Sequence, residues 1–277
     1  AIASYSELAR RFPGQRDHAV EARFRLGELF SRVRDPGLLA PYYLSLFRAY
    51  PDAHDWLRRT ARAVVALYDD RETTGQIEAL RALVDRHRDK PLFCAMALSE
   101  IGRRYERLGR LDLAIEAMDR VARGYPGLVK ERTEAAFELG RLSLAQYDKL
   151  RASGRLSAAI AFYDKALTAY ARVVKTFEPG HEHHVRARAE YLRLSLLMAA
   201  QLERQGERAL AAKRHRKILE FDPAVLQAHR KLMQFGVAAG RREQLEARYR
   251  GRVERDSGDP VGHYGLGYLA TLAAEVD

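Results

Sequence analysis

The sequence predicts an all-α protein assembled from repeated antiparallel helix pairs. Three observations carry that reading. Ala, Leu, Arg and Glu dominate the chain, all good helix formers, while alternating β-branched runs are scarce and no Asn-Gly or Asp-Gly hairpin signal occurs. Seven prolines (Pro13, Pro51, Pro91, Pro126, Pro179, Pro223 and Pro260) follow one another at intervals of 38, 40, 35, 53, 44 and 37 residues. Proline cannot continue a helix and biases the residue before it away from helix, so these positions punctuate helical segments. Their settings also recur, as "RRFPG", "RAYPD", "RGYPG", "TFEPG" and "EFDPA", which marks an internal repeat.

The elements follow in order. Residues 1–13, with Ala1, Tyr5, Leu8 and Pro13, read as a second helix whose first helix is missing. Residues of about 14–51 hold Leu26-Gly27, Phe30, Tyr43, Leu46 and Pro51. Residues 52–91 keep two helical periods from Trp56 to Asp89 without a Leu-Gly pair. Residues 92–126 give the clearest copy: Ile101-Gly102, Tyr105, a turn at Gly109, then Ala114, Met118, Val121 and Pro126. Residues 127–179 carry Leu139-Gly140, Ala159 and Tyr163 in a longer pair. Its first helix spans about Thr133 to Arg151, with Ala136, Leu139, Ser143, Tyr147 and Leu150 on one face. Its second runs from about Leu156 to Phe177, where Leu156, Ile160, Tyr163, Leu167, Tyr170, Val174 and Phe177 step by 4, 3, 4, 3, 4, 3 onto one face. Residues 180–223 repeat the order with Met198-Ala199, Leu202, Gly206, Ala211, Ile218 and Pro223. Residues 224–260 are weaker, with His229, Leu232, Gly240, Leu245 and Tyr249. Residues 261–277 hold Leu266-Gly267 and read as a first helix alone. Gly109, Gly154, Gly206 and Gly240 are the predicted turns inside pairs.

With 277 residues, 47% apolar and 31% charged, the chain is an ordered, water-compatible protein with a sizeable core. No stretch approaches 18 consecutive apolar residues, so no transmembrane helix is expected. "AIASYSELARRFPG" lacks the order of a signal peptide and reads as the inside of a helix, so the natural N-terminus is expected upstream. The one cysteine, Cys94, sits among apolar neighbours and is expected to be buried and inert. The net charge is +11, and residues 201–256 carry fourteen Lys and Arg against eight Asp and Glu. Such a balance can attract nucleic acid, acidic protein or anionic lipid, or simply solvate an Arg-rich helical surface.

No catalytic constellation is present. There is no phosphate-binding loop: "GHYGLG" follows a proline at a repeat start and serves helix packing. HExxH and Gly-x-Ser-x-Gly are missing, and the carboxylates sit beside basic residues as surface pairs do. No enzymatic activity and no cofactor are expected. The densest cluster, His181, Glu182, His183 and His184, could hold Zn, Ni or Cu. It follows Pro179-Gly180 at a helix start, where successive side chains diverge, so a polar loop is expected and no metal site.

The order Leu-Gly, aromatic, turn glycine, small-large-small, proline resembles the tetratricopeptide repeat (TPR), a helix-turn-helix unit of about 34 residues. The resemblance covers nearly the whole chain. It implies a right-handed α-solenoid of stacked hairpins, one array over residues 1–277, with Gly102, Gly140 and Ala199 meeting Ala114, Ala159 and Ala211 where helices cross. Tyr5, Leu8, Phe12, Pro13, Ala19, Ala22, Leu26 and Gly27 further resemble bacterial cell-envelope TPR scaffolds, implying a periplasmic or envelope-associated setting. In the family, first helices line a concave groove that holds a partner protein or peptide. The positions implied here are Phe24, Glu28, Ser99, Arg103, Glu106, Phe137, Arg141, Leu144, Leu196, Ala200, Arg230, Gln234, Tyr264 and Tyr268. Arg103, Arg141 and Arg230 would supply basic points and the aromatics apolar anchors. The family's carboxylate clamp for chaperone tails uses Lys and Asn where this chain has Arg, Phe and Ser, so a chaperone-tail receptor is not implied. The reading is a non-catalytic interaction scaffold. Two alternatives stand beside it. One is a nucleic-acid-associated repeat, suggested by "KRHRK" at 213–217 and "GRREQLEARYRGR" from Gly240 but lacking regular aromatic stacking partners. The other is an interaction region of a larger enzyme or regulator.

Overall fold

A computed structural model describes residues 2–11, 15–30, 35–69 and 72–274; Ala1, Phe12 and Pro13, used above, lie outside the described residues. Within them are fourteen helices and no strand. They are α1 (Ile2–Arg11), α2 (Arg16–Phe30), α3 (Pro36–Ala49), α4 (His54–Ala66), α5 (Thr73–Arg86), α6 (Pro91–Arg107), α7 (Leu111–Gly124), α8 (Val129–Ala152), α9 (Leu156–Thr176), α10 (Glu182–Arg204), α11 (Arg208–Phe221), α12 (Leu226–Val237), α13 (Arg242–Arg255) and α14 (Pro260–Ala274). The chain divides into two compact units, Ala1–Thr176 and Phe177–Asp277.

Turn chemistry repeats in both units. Gly109, Gly154, Gly206 and Gly240 adopt φ values of 69, 76, 80 and 70°, a left-handed conformation that costs other residues strain. The residue after each, Arg110, Arg155, Glu207 and Arg241, donates its backbone N–H to the carbonyl five residues back, at 2.9 Å in all four turns. This cap satisfies carbonyls that the helix end would otherwise orphan, and it folds the chain into a tight hairpin.

In the first unit, the first helices of successive pairs, α2, α4, α6 and α8, adjoin one another in order. Close crossings are set by small residues. A methyl group on Gly102 would lie 2.9 Å from Met118 Cε and 3.4 Å from the Ala114 carbonyl oxygen. One on Gly140 would lie 2.7 Å from the ring of Tyr170, so an aromatic ring of α9 packs against that glycine. Helices α4 and α5 are the exception: α4 packs on α3 and α6, and α5 packs on α6, with little contact between the two. Their segment is the one without a Leu-Gly pair.

The α8–α9 hairpin has 24- and 21-residue helices, against 14 in α7. Along α9, Tyr163, Leu167 and Tyr170 are buried as their spacing predicts, whereas Leu156 and Ile160 are 59% and 52% exposed. These two sit at the hairpin tip, which outruns its shorter neighbour. In the second unit, α12 and α14 adjoin, and Met233, Tyr249, Val261 and Leu269 form the buried cluster. Cys94 is buried in α6; its thiol donates to the His87 carbonyl at 3.1 Å, and burial pushes its pKa up to about 11.

Candidate functional site

Three consecutive first helices, α4, α6 and α8, bound a hollow of about 570 Å³ in the first unit. Helix α6 contributes Met96, Ser99, Glu100 and Arg103, one face at steps of 3, 1 and 3. Helix α4 contributes Arg58, Arg62, Val65 and Ala66, and Asp69 follows it. Helix α8 contributes Lys130, Glu131, Glu134, Ala135 and Glu138, and Met118 closes the floor from α7.

The charges around this hollow are largely engaged with each other. Arg58 Nε donates to Glu131 Oε1 at 2.6 Å and its Nη1 reaches Asp55 at 3.2 Å, bonds that hold the guanidinium above its usual pKa. Arg103 Nε donates to Glu100 at 2.8 Å. Behind the wall lies Arg104, 1% exposed, which donates to Gln76 Oε1 at 2.6 Å, to Asp69 Oδ1 at 2.6 Å, and to Glu100. A buried guanidinium needs this many acceptors to offset its lost hydration. Next along, Arg141 makes a two-pronged contact to Glu106 at 2.6 and 2.7 Å and also meets Glu138. The Arg141 hydrogen bond outweighs desolvation and holds the Glu106 carboxyl below its usual range.

Of the residues implied by the resemblance, Ser99 and Arg103 line the hollow, and Glu106 and Arg141 pair across α6 and α8. Arg103 and Arg141 each meet an acid three residues earlier, and Arg141 also meets Glu106 from the preceding pair; Arg103 shares its acid, Glu100, with Arg104 and Arg107. Phe24 and Phe137 are buried rather than offered as anchors. Phe24 packs against Tyr43 and Trp56 at 5.8 and 5.5 Å, and Phe137 against Tyr170 at 5.6 Å. Glu28 pairs with Arg25 on its own helix at 2.8 Å, and Leu144 is half-buried. In the second unit, Gln234 donates to the Tyr268 hydroxyl at 2.7 Å, and Tyr264 and Tyr268 stack at 6.0 Å; Arg230 and Ala200 are exposed and Leu196 half-buried. The hollow's other residues, Arg58, Arg62, Glu131 and Glu134, were missed by the motif. Arg58 and Arg62 sit one turn apart on the helix that lacks the motif. Glu131, Glu134 and Glu138, at steps of 3 and 4, were a readable acidic row on the extended helix.

The histidines near residue 181 have structural roles. His181 accepts from the His183 backbone N–H at 3.2 Å as the N-cap of α10, and its ring stacks on Phe177 at 3.9 Å. His184 Nδ1 meets the Phe177 carbonyl at 2.9 Å, and no three metal-ligating side chains converge among the described residues. The two basic runs of the sequence meet around another hollow, of about 540 Å³, where Arg216, Arg241 and Arg248 surround Leu219, Leu232 and Leu245 with one carboxylate, Glu220.

The repeats are TPR-like. The left-handed glycine turns, the glycine crossings and the row of adjoining first helices are the chain's own evidence for this. No family model and no curated protein matches the chain. Solved structures similar to it include a circular tandem repeat protein with novel repeat topology, at 14% identity and TM-score 0.38 over 98% of this chain and 81% of that one. Another is the TPR2AB-domain:pHSP90-complex of yeast Sti1, at 18% and 0.28 over 91% and 98%. A third is the P58(IPK) TPR domain, at 13% and 0.22 over 100% and 99%. Among the described residues no helix is long and apolar enough to cross a membrane.

Proposed function

We propose that the protein is a non-catalytic scaffold that binds a partner protein or peptide along the first-helix face of its first unit. The observation that carries this reading is the hollow between α4, α6 and α8, with accessible apolar residues Val65, Ala66 and Met96 and charged walls. It gives a partner both apolar area and polar register, the combination that protein interfaces use. The Tyr5-to-Gly27 pattern supports a bacterial envelope or secretion assembly as the setting. A photo-crosslinking side chain at Ser99 is expected to capture a partner, and the same group at Glu78, exposed on α5, is not. Equal capture at both sites, or capture at neither, refutes the reading.

A second reading has one observation in its favour, the convergence of Arg216, Arg241 and Arg248 around one hollow. An anionic polymer such as nucleic acid would meet that surface. Retention of a labelled oligonucleotide that weakens steeply with salt is its expected sign, and no mobility shift at low salt ends it.

A further inference from the structure

We propose that the hollow between α4, α6 and α8 receives a lysine or arginine side chain of the partner, with its charged head on Oε2 of Glu131. This rests on the interaction reading above and names the chemistry that the site selects.

Glu131 stands in the first turn of α8. Its side chain is only 7% exposed, and it lines the hollow. Oε1 accepts from Arg58, while Oε2 is buried with no hydrogen-bond partner among the described residues. A buried carboxylate oxygen left without a donor is costly, and a charged donor satisfies it about twice as well as a neutral one. Helix α8 extends the same sign toward solvent. Glu134 lies one turn beyond Glu131, exposed, and Glu138 lies one turn further, engaged by Arg141. The inset cation of the wall is committed, Arg58 to Glu131 and Asp55, while Arg103, exposed at the rim, meets Glu100, which also takes Arg104 and Arg107. Arg62 and Lys130 are exposed and suit acidic neighbours of the inserted residue. The methylene stem of a lysine or arginine matches the apolar lining of Val65, Ala66 and Met96, as long cationic side chains bury their stems while the head seeks charge.

The test is selection of a random nonapeptide display library on the full chain, followed by fluorescence-polarisation affinities of the selected peptides. Selected peptides are expected to share a lysine or arginine at one position. Changing that residue to norleucine should weaken binding at least tenfold. Glu131→Gln keeps a carbonyl oxygen for Arg58 but loses the charge. It should bind the basic peptide about tenfold more weakly and no longer distinguish it from the norleucine peptide, with a circular-dichroism melt confirming the fold. Peptides that lack a shared basic residue yet are blocked by Ser99→Trp overturn the cation site and leave the groove reading standing. So does a Glu131→Gln protein that still discriminates. No enrichment, or peptides indifferent to Ser99→Trp, overturn both.

Discussion

The two units share their turns but not their interiors. Gly109 and Gly154 in the first, Gly206 and Gly240 in the second, make the same left-handed cap with the same 2.9 Å hydrogen bond. Yet α6 and α7 bury Phe93, Leu98, Ile101, Ala114, Met118 and Val121, whereas in α13 only Tyr249 is buried. The second unit relies more on polar contacts. His229 bridges Tyr249 and the Pro223 carbonyl at 2.8 and 2.9 Å, Glu203 meets His215 at 2.9 Å and Lys231 at 2.7 Å, and Arg252 holds Asp259 at 2.6 Å. Hairpin shape is therefore set by turn chemistry, which costs a few residues, while the material that fills the hairpin is free to change. An apolar filling tolerates acid; a histidine-based one does not.

The largest expected effect lies at the polar exception inside the apolar unit. Arg104→Ala leaves Gln76, Asp69 and Glu100 facing one another around the vacated guanidinium site. Breaking a buried ionic network on one side costs about 3–5 kcal/mol, read as a lower urea midpoint. If Arg104→Ala falls within 1 kcal/mol of wild type, the buried network is not what joins α6 to the Asp69 turn.

The glycine crossings test whether the two interiors yield differently. Gly140→Ala places a methyl 2.7 Å from Tyr170, a ring that is 2% exposed and has nowhere to go. Overpacking of this kind costs about 1–3 kcal/mol, against a helix-propensity gain of about 1, so net destabilisation is expected. Gly236→Ala, in the second unit, meets the end of Leu245, a half-buried side chain that can turn aside, at 2.6 Å. Its strain and propensity terms should nearly cancel. Equal losses in urea titrations of both variants would remove the contrast.

Acidification should separate the units next. The Pro223 carbonyl can only accept, so His229 Nε2 carries the proton and Nδ1 accepts from the Tyr249 hydroxyl. Burial lowers the His229 pKa below its usual value; Arg252 and Arg248 add to the shift, and the Pro223 bond and Asp259 oppose it. The folded chain thus binds fewer protons than the unfolded one around and below pH 6.5. Stability from neutral His229 is complete above that value and lost as pH falls through it. His87 in the first unit is lowered in the same direction, so the variant His229→Gln is needed to isolate the effect. Its melting temperature should depend less on pH between 7.5 and 5 than that of the wild type; an unchanged slope assigns the dependence elsewhere. Tyr249→Phe, which strands Nδ1, should cost about 1–2 kcal/mol at neutral pH.

The sequence makes the hairpins legible because their signals are local. Turn glycines, prolines and the 4,3 stripe of α9 all lie within one or two helical turns of what they determine. The site was legible only in fragments. Ser99 and Arg103 could be placed by analogy, but which of Arg103 and Arg104 faces inward is decided by Gln76 and Asp69, 28 and 35 positions away. Phe24 and Phe137 fill space beside rings from other helices, so a repeat position alone could not show that they are core. The tip residues Leu156 and Ile160 obey the stripe yet stand exposed, which periodicity alone does not show.

The smallest expected effect concerns the pair that the motif made most prominent. Arg141 and Glu106 are 44% and 32% exposed, so water screens much of their attraction despite the two short hydrogen bonds. Exposed pairs contribute about 0–1 kcal/mol. Arg141→Gln should therefore move the urea midpoint barely, and less still at 1 M salt, where the Debye length shrinks to about 3 Å. Its sharper consequence is electrostatic. Losing Arg141 frees both Glu106 and Glu138, which extends the acidic row of α8 by one turn without touching Glu131. A basic peptide bound at the hollow should then bind slightly tighter, and more so at low salt. Weaker binding in Arg141→Gln would mean that Arg141 itself touches the partner, and that the groove of the first unit is read by its arginines after all.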